Sequence, residues 1–127
     1  MNVVDSSGWI EFFVGGPNAT FFERSLHAVD ELLVPSITIL EVYRYVLRKR
    51  GRDKALAVAA AMRQGRVIDL TEGLAIEAAE VGASYGLPLA DSIIYASALA
   101  HDATLWTQDV DFEGLDQVEY RSRGGAL

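Results

Sequence analysis

The sequence contains no cysteine, only two histidines and three prolines, and just two lysines, Lys49 and Lys54, in 127 residues. Without cysteine there can be no disulfide framework, no thiolate zinc site and no cysteine nucleophile. His27 and His101 are isolated and fall near the ends of predicted helices, so both read as structural. Ser6 and Ser7 have no neighbouring histidine or lysine to act as a base, which removes serine nucleophilic chemistry. The scarcity of lysine also weighs against a phosphoryl-aspartate protein, which pairs its nucleophilic aspartate with a lysine. Lys49 and Lys54 lie at and just beyond a predicted helix end, and Asp5-Ser6-Ser7 is not the Asp-x-Asp such phosphatases carry. Long apolar runs are missing too. The opening Met1 to Ser7 has no basic leader and meets an acid before any span could form, so a cytoplasmic protein with no membrane association is expected.

What the chain does have is acid. Eighteen Asp and Glu against eleven Lys and Arg give a formal net charge of −7, which argues against a nonspecific nucleic-acid coat. The same balance is compatible with a nuclease whose acids surround metal ions. Half of the residues are apolar, enough for one core, and the expectation is a single domain over 1–127 with Arg121 to Leu127 as a loose tail.

Short apolar runs bounded by turn or cap residues predict strands at Asn2 to Val4, Glu31 to Val34, Val67 to Leu70 and Thr104 to Thr107, with a weaker one at Val118 to Tyr120. Helical periodicity covers Gly8 to Val14, Ala19 to His27, Thr38 to Lys49, Asp53 to Gln64, Glu72 to Tyr85 and Ala90 to Ala100. Thr38 with Glu41 fits a capping box and Thr71 fits an N-cap, while Gly51, Gly65 and Gly86 stand where helices should stop. Strands alternating with helices imply an α/β fold with a mainly parallel central sheet and helices on both faces.

That topology gives four acids a common address. Asp5 follows the first strand and Asp109 follows the Thr104 to Thr107 strand, while Glu41 and Asp91 fall in the first turn or so of helices. In an open α/β sheet, strand carboxyl ends and helix N-termini share one rim, where ligands bind. Carboxylates crowded there raise one another's pKa unless a counter-cation is present. A donor set of oxygens without thiolate or imidazole suits magnesium or manganese. Taken singly, Glu41 reads equally as a capping acid or a helix-face partner of Arg44 or Tyr45, and Asp5 and Asp109 as turn residues. Asp91 is harder to explain structurally. The helix after it, Ser92 to Ala100, is apolar nearly all round and should be central, where an unpaired carboxylate is costly.

Four segments, in order, resemble the acidic motifs of VapC toxins, which are PIN-domain ribonucleases. They are Val4-Asp5-Ser6-Ser7-Gly8-Trp9-Ile10, Ser36-Ile37-Thr38-Ile39-Leu40-Glu41-Val42, Leu87-Pro88-Leu89-Ala90-Asp91-Ser92 and Leu105-Trp106-Thr107-Gln108-Asp109-Val110-Asp111-Phe112. The resemblance spans Met1 to Tyr120 and implies a PIN-domain α/β/α sandwich. It also implies metal-dependent RNA cleavage, homodimerisation, and inhibition by a small VapB-like antitoxin encoded alongside. Carried over by position, Asp5, Glu41, Asp91 and Asp109 are the catalytic acids, with Asp111 and Thr107 as accessory residues. Asp5 and Asp91 are expected to hold the principal Mg2+ or Mn2+, Asp109 to complete or bridge a second position, and Glu41 to orient or deprotonate water. Trp106 and Gln108 read as variable positions. The RNA expected as substrate is structured, such as tRNA or a ribosomal RNA loop.

Six of the eleven basic residues, Arg44, Arg48, Lys49, Arg50, Arg52 and Lys54, fall in one stretch. At helical spacing Glu41, Arg44, Tyr45 and Arg48 share a face, so Arg44 and Arg48 are candidate RNA contacts. The same cations also suit a helix C-terminus and a soluble surface. Trp9, Phe12, Phe13, Phe21 and Phe22 are expected in the core or at a subunit contact, with any exposed subset available to a dimer face or antitoxin groove. Two other readings share the fold: a housekeeping PIN nuclease, and a non-catalytic module that grips RNA or protein.

Overall fold

A computed structural model of the chain describes residues 1–124. Its first strand, β1 (Asn2–Val4), is the middle of a sheet and is buried on both faces, which is why Val3 and Val4 are both apolar. Successive strand residues point to opposite faces. Val4 therefore joins Leu32, Val34, Trp9, Phe22 and Val42 in one core, while Val3 joins Leu33, Ile94, Tyr95 and Leu105 in another.

The remaining strands are β2 (Leu32–Pro35), β3 (Arg66–Ile68), β4 (Thr104–Thr107) and β5 (Val118–Tyr120). They align in the order β3-β2-β1-β4-β5, and every pairing is parallel. Val3 sits opposite both Leu33 and Leu105, fixing the register of the two central pairings. The chain builds outward from β1 through β2 and β3, then returns to the other side of β1 for β4 and β5. The switch in direction lies between β1 and β4, where connections leaving the strand ends diverge and open a crevice.

Six helices flank the sheet: α1 (Ser6–Val14), α2 (Ala19–His27), α3 (Ser36–Arg50), α4 (Arg52–Met62), α5 (Glu72–Tyr85) and α6 (Leu89–Ala100). Side chains of α1 to α4, among them Trp9, Phe22, Val46 and Met62, cover one face of the sheet. On the other face α6 contributes Ile94, Tyr95 and Ala98, and α5 packs onto α6 through Leu74 and Ala78 against Ile93 and Ala96. The α/β sandwich expected from the alternation is therefore present, with a sheet that is wholly parallel among the described residues.

Local chemistry explains the boundaries. The Thr71 side chain accepts from Leu74 N at 3.2 Å as the expected N-cap of α5, and Gly86 ends that helix in the left-handed conformation at φ 68°. Gly51 ends α3 at φ 88°, whereas α4 stops at Met62, three residues before Gly65. The capping box at Thr38 is corrected. Helix α3 begins at Ser36 behind Pro35, and the buried Thr38 hydroxyl donates to Pro35 O at 2.7 Å. Its side chain thus back-bonds within the first turn instead of capping, which frees the Glu41 carboxylate. Glu31 belongs to a 3₁₀ turn, Val29–Glu31, that precedes β2. No helix in the described residues is long and apolar enough to cross a membrane.

Candidate metal centre

The crevice between β1 and β4 is a cleft of about 480 Å³ whose lining includes Asp5, Glu41, Asp91 and Asp109. Each acid arrives there by a different route. Asp5 stands at the N-cap position of α1, yet its side chain makes no capping bond. Instead its Oδ2 accepts from Ser7 Oγ at 2.8 Å and Thr107 Oγ1 at 2.9 Å. Glu41 extends from the second turn of α3 and accepts from Ser6 Oγ at 2.7 Å. Asp91 lies in the first turn of α6, the most buried helix of the fold. Asp109 follows β4, with its N–H donating to Thr107 Oγ1 at 2.9 Å and its Oδ1 accepting from Asp111 N at 3.0 Å.

Electrostatics separate Asp5 and Asp91 from ordinary surface carboxylates. Asp5 is 3% exposed, and burial above all lifts its pKa from 3.8 to about 6. The Ser7 and Thr107 hydrogen bonds oppose that rise, while Asp109 and Glu41 add to it. Burial also dominates at Asp91, whose pKa is pushed up to about 7. Every charged neighbour acting on Asp91 is an acid: Asp5, Asp109, Asp111 and Glu41. Such a group favours protonation or a cation, and the charged neighbours that raise its pKa all add negative charge.

Among the described residues, Asp91, Asp109 and Asp111 bring one carboxylate oxygen each within 4.8 Å of one another, close enough to share a metal ion. All three donors are carboxylates, the donor set of a hard divalent cation. The expected pairing of Asp5 with Asp91 is therefore only part of the arrangement. Asp5 shares the cleft but is not in this close set, and Asp111, expected as an accessory, is. Thr107, the other accessory, is fully buried and ties Asp5 to the Asp109 backbone. Arg44, Tyr45 and Arg48 line the same cleft.

Several lining residues were not singled out in the sequence. Ser6 and Ser7, set aside as nucleophiles, instead donate to Glu41 and Asp5. Gln108 is not a free position. It is 4% exposed, its Oε1 accepts from Asn18 Nδ2 at 3.0 Å, and its Nε2 donates to Ser7 O at 3.3 Å. Arg121 to Arg123, expected in a loose tail, are held. Arg121 N donates to Thr107 O at 3.1 Å, Asn18 Nδ2 donates to Ser122 O at 3.0 Å, and Arg123 lines the cleft. The last three residues of that tail, 125–127, lie outside the described residues. The two histidines are remote from the cleft: His27 packs edge-on against Phe12, and His101 Nδ1 lies 2.9 Å from Ser97 O. Of the aromatic group, Trp9 and Phe22 are core, Phe12 and Phe21 pack against it, and Phe13 is 37% exposed.

The sequence model of the PIN domain matches residues 3–118, nearly the whole described chain and all of the acids above. The chain belongs to the PIN-domain family. Structural neighbours of this PIN domain are toxins of toxin–antitoxin complexes. One is from a Klebsiella pneumoniae toxin–antitoxin complex, with a TM-score of 0.78 and 22% identity, covering 94% of this chain and 96% of that one. Another is VapC20 of Mycobacterium tuberculosis, described as a sarcin–ricin-loop-cleaving toxin, with a TM-score of 0.75 and 21% identity over 91% and 95% of the two chains. A third, from DNA-bound VapBC of Salmonella typhimurium, has a TM-score of 0.74 and 17% identity over 95% and 96%. At these identities the likeness is one of fold. Among curated proteins there is no match.

Proposed function

We propose that this PIN domain is the toxin of a VapBC-type pair, a Mg2+- or Mn2+-dependent endoribonuclease. The observation that carries the reading is the convergence of Asp91, Asp109 and Asp111 on one point, in a cleft that also holds Asp5 and Glu41. Asp91 and Asp109 would hold the principal ion together with Asp111, and Asp5, fixed by Ser7 and Thr107, would support it from the floor of the cleft. When bound, a divalent ion of this kind lowers the pKa of water and offsets charge on a phosphodiester during hydrolysis.

The protein's own groups set the geometry around that chemistry. Glu41 is held through one oxygen by Ser6, which leaves the other to orient a water or accept its proton. Attack on phosphorus would leave a 5′-phosphate and a 3′-hydroxyl. Arg44 and Arg48 flank the acids and would contact the RNA phosphates on either side of the scissile bond.

The structural likeness to VapC20, described as cleaving the sarcin–ricin loop, supports a structured RNA such as a ribosomal RNA loop as substrate, with a tRNA as the alternative. The likeness to toxins crystallised with antitoxins supports a VapB-like partner. A homodimeric assembly and a cytoplasmic site of action belong to the same proposal. Expression without the partner should arrest growth, and co-expression of a small neighbouring gene product should relieve it. Sequencing RNA ends after brief induction identifies the target, and harmless accumulation of active, soluble enzyme would favour a housekeeping nuclease instead.

A further inference from the structure

The segment after β5 is built onto the cleft by three separate anchors. Arg121 N donates to Thr107 O, and Thr107 is the residue whose hydroxyl holds Asp5. The Arg121 guanidinium lies 4.9 Å over the Phe21 ring, a cation–π contact that orients this side chain toward α2. Ser122 O accepts from Asn18 Nδ2 at 3.0 Å.

Asn18 is an unusual residue to find in that place. It is 6% exposed in the loop between α1 and α2, and its amide donates to two partners far away in sequence, Gln108 Oε1 and Ser122 O. Its own N–H donates to Glu11 Oε2 at 2.7 Å. Gln108 in turn reaches Ser7 O, beside Asp5. A buried amide left without partners is costly, so both donor bonds tend to persist together and fix the loops they join. The result is a latch across the α1–α2 loop, the post-β4 loop and the segment after β5.

With Arg121 turned onto Phe21, the next basic side chain, Arg123, lines the acid cleft alongside Arg44 and Arg48. Arg123 is exposed and so is free to reach a ligand. We propose that Arg121–Arg123 form a basic strap at the cleft rim, in which Arg123 binds a phosphate of the RNA and Asn18 is the positioning residue that sets it there. This rests on the ribonuclease reading above. A guanidinium suits the task because its planar fork pairs two N–H groups with phosphate oxygens. Arg44 and Arg48 come from α3 and Arg123 from the segment after β5, so the three cations would approach the RNA from separate elements.

The test is binding of a labelled single-stranded oligoribonucleotide across a salt series, with steady-state cleavage measured in Mg2+. Arg123→Gln should weaken binding roughly tenfold and reduce the slope of log K against log salt by about 0.7, the loss of one phosphate contact. The cleavage defect should fall in KM rather than in kcat, with partial rescue by Arg123→Lys. Asn18→Asp, which keeps shape but removes both donors, should reproduce the change in slope and speed hydrogen exchange at the Arg121 amide. Arg63→Ala, an exposed cation at the end of α4 that does not line the cleft, serves as the control for net charge. Wild-type slope and KM in Arg123→Gln, or an equal loss in Arg63→Ala, would overturn the strap while leaving the nuclease standing. A wild-type protein that neither binds nor cuts the oligoribonucleotide would overturn both.

Discussion

The Thr107 hydroxyl donates to Asp5 Oδ2 at 2.9 Å, joining residues 102 positions apart in sequence, and the same oxygen accepts from Asp109 N at 2.9 Å. One buried hydroxyl thus sets the spacing of two cleft acids that follow neighbouring strands. Thr107→Val keeps the shape but leaves a buried carboxylate and a backbone N–H short of a partner. A hydrogen bond to a charged group contributes about 1.5–3 kcal/mol, so a loss of that size is expected in urea unfolding at neutral pH. Metal affinity measured by calorimetry should fall in the same variant, and Thr107→Ser should restore both.

Stability of the metal-free protein should decline as pH rises. The folded pKa values of Asp5 and Asp91 are raised from 3.8 to about 6 and about 7, so the folded state holds protons that the unfolded state releases. That contribution is fully present below pH 3.8 and disappears as pH passes through the folded values. The expected outcome in EDTA is a melting temperature that, for these two groups, falls between about pH 4 and 7 and levels off above. Saturating Mn2+ should flatten the fall. A melting temperature that rises across that window in EDTA, and is still higher at its upper end, would contradict the repulsive cluster.

Asp91→Asn removes the carboxylate on which four other acids act, so the metal-free variant should be as stable as the parent or more so. It should also lose most of the stabilisation by metal, which for a bound ion at a hundred times its dissociation constant is about 2.7 kcal/mol. Paired melting curves in EDTA and Mn2+ separate the alternatives. A structural carboxylate would instead lose stability in both and keep the metal shift.

Gly8 tests how closely α1 is seated beneath Asp5. A Cβ there would lie 2.6 Å from Phe22 Cε1 and 2.8 Å from Val4 Cγ1, both in fully buried side chains. Alanine would gain roughly 0.5–1 kcal/mol of helix preference over glycine, but overpacking costs about 1–3 kcal/mol. The clash should win, and Gly8→Ala should lower the urea midpoint.

The parallel alternation and the placement of Asp5, Glu41, Asp91 and Asp109 along one rim were legible because they follow from element order alone. Strand ends and helix starts put those residues on the same edge whatever the packing. Boundaries were legible where a local signal governs them, as with Thr71 at the start of α5 and Gly86 at its end. Thr38 misled because a threonine followed three residues later by glutamate looks the same whether the hydroxyl caps or back-bonds to Pro35 O. Ser6, Asn18 and Gln108 could not be placed from sequence, since their partners stand 35, 90 and 101 residues away. Asp111 was underrated because its approach to Asp91 depends on the 3₁₀ turn Val110–Phe112, which periodicity does not reveal.

The central claim is that the acids of this cleft work through a metal ion on RNA, and cleavage of a structured RNA by the purified protein tests it most directly. The account predicts cutting in Mg2+ or Mn2+, none in EDTA, and a loss of most activity in Asp5→Asn, Asp91→Asn and Asp109→Asn proteins that still fold. Undiminished cutting in EDTA, or by Asp91→Asn, would contradict it.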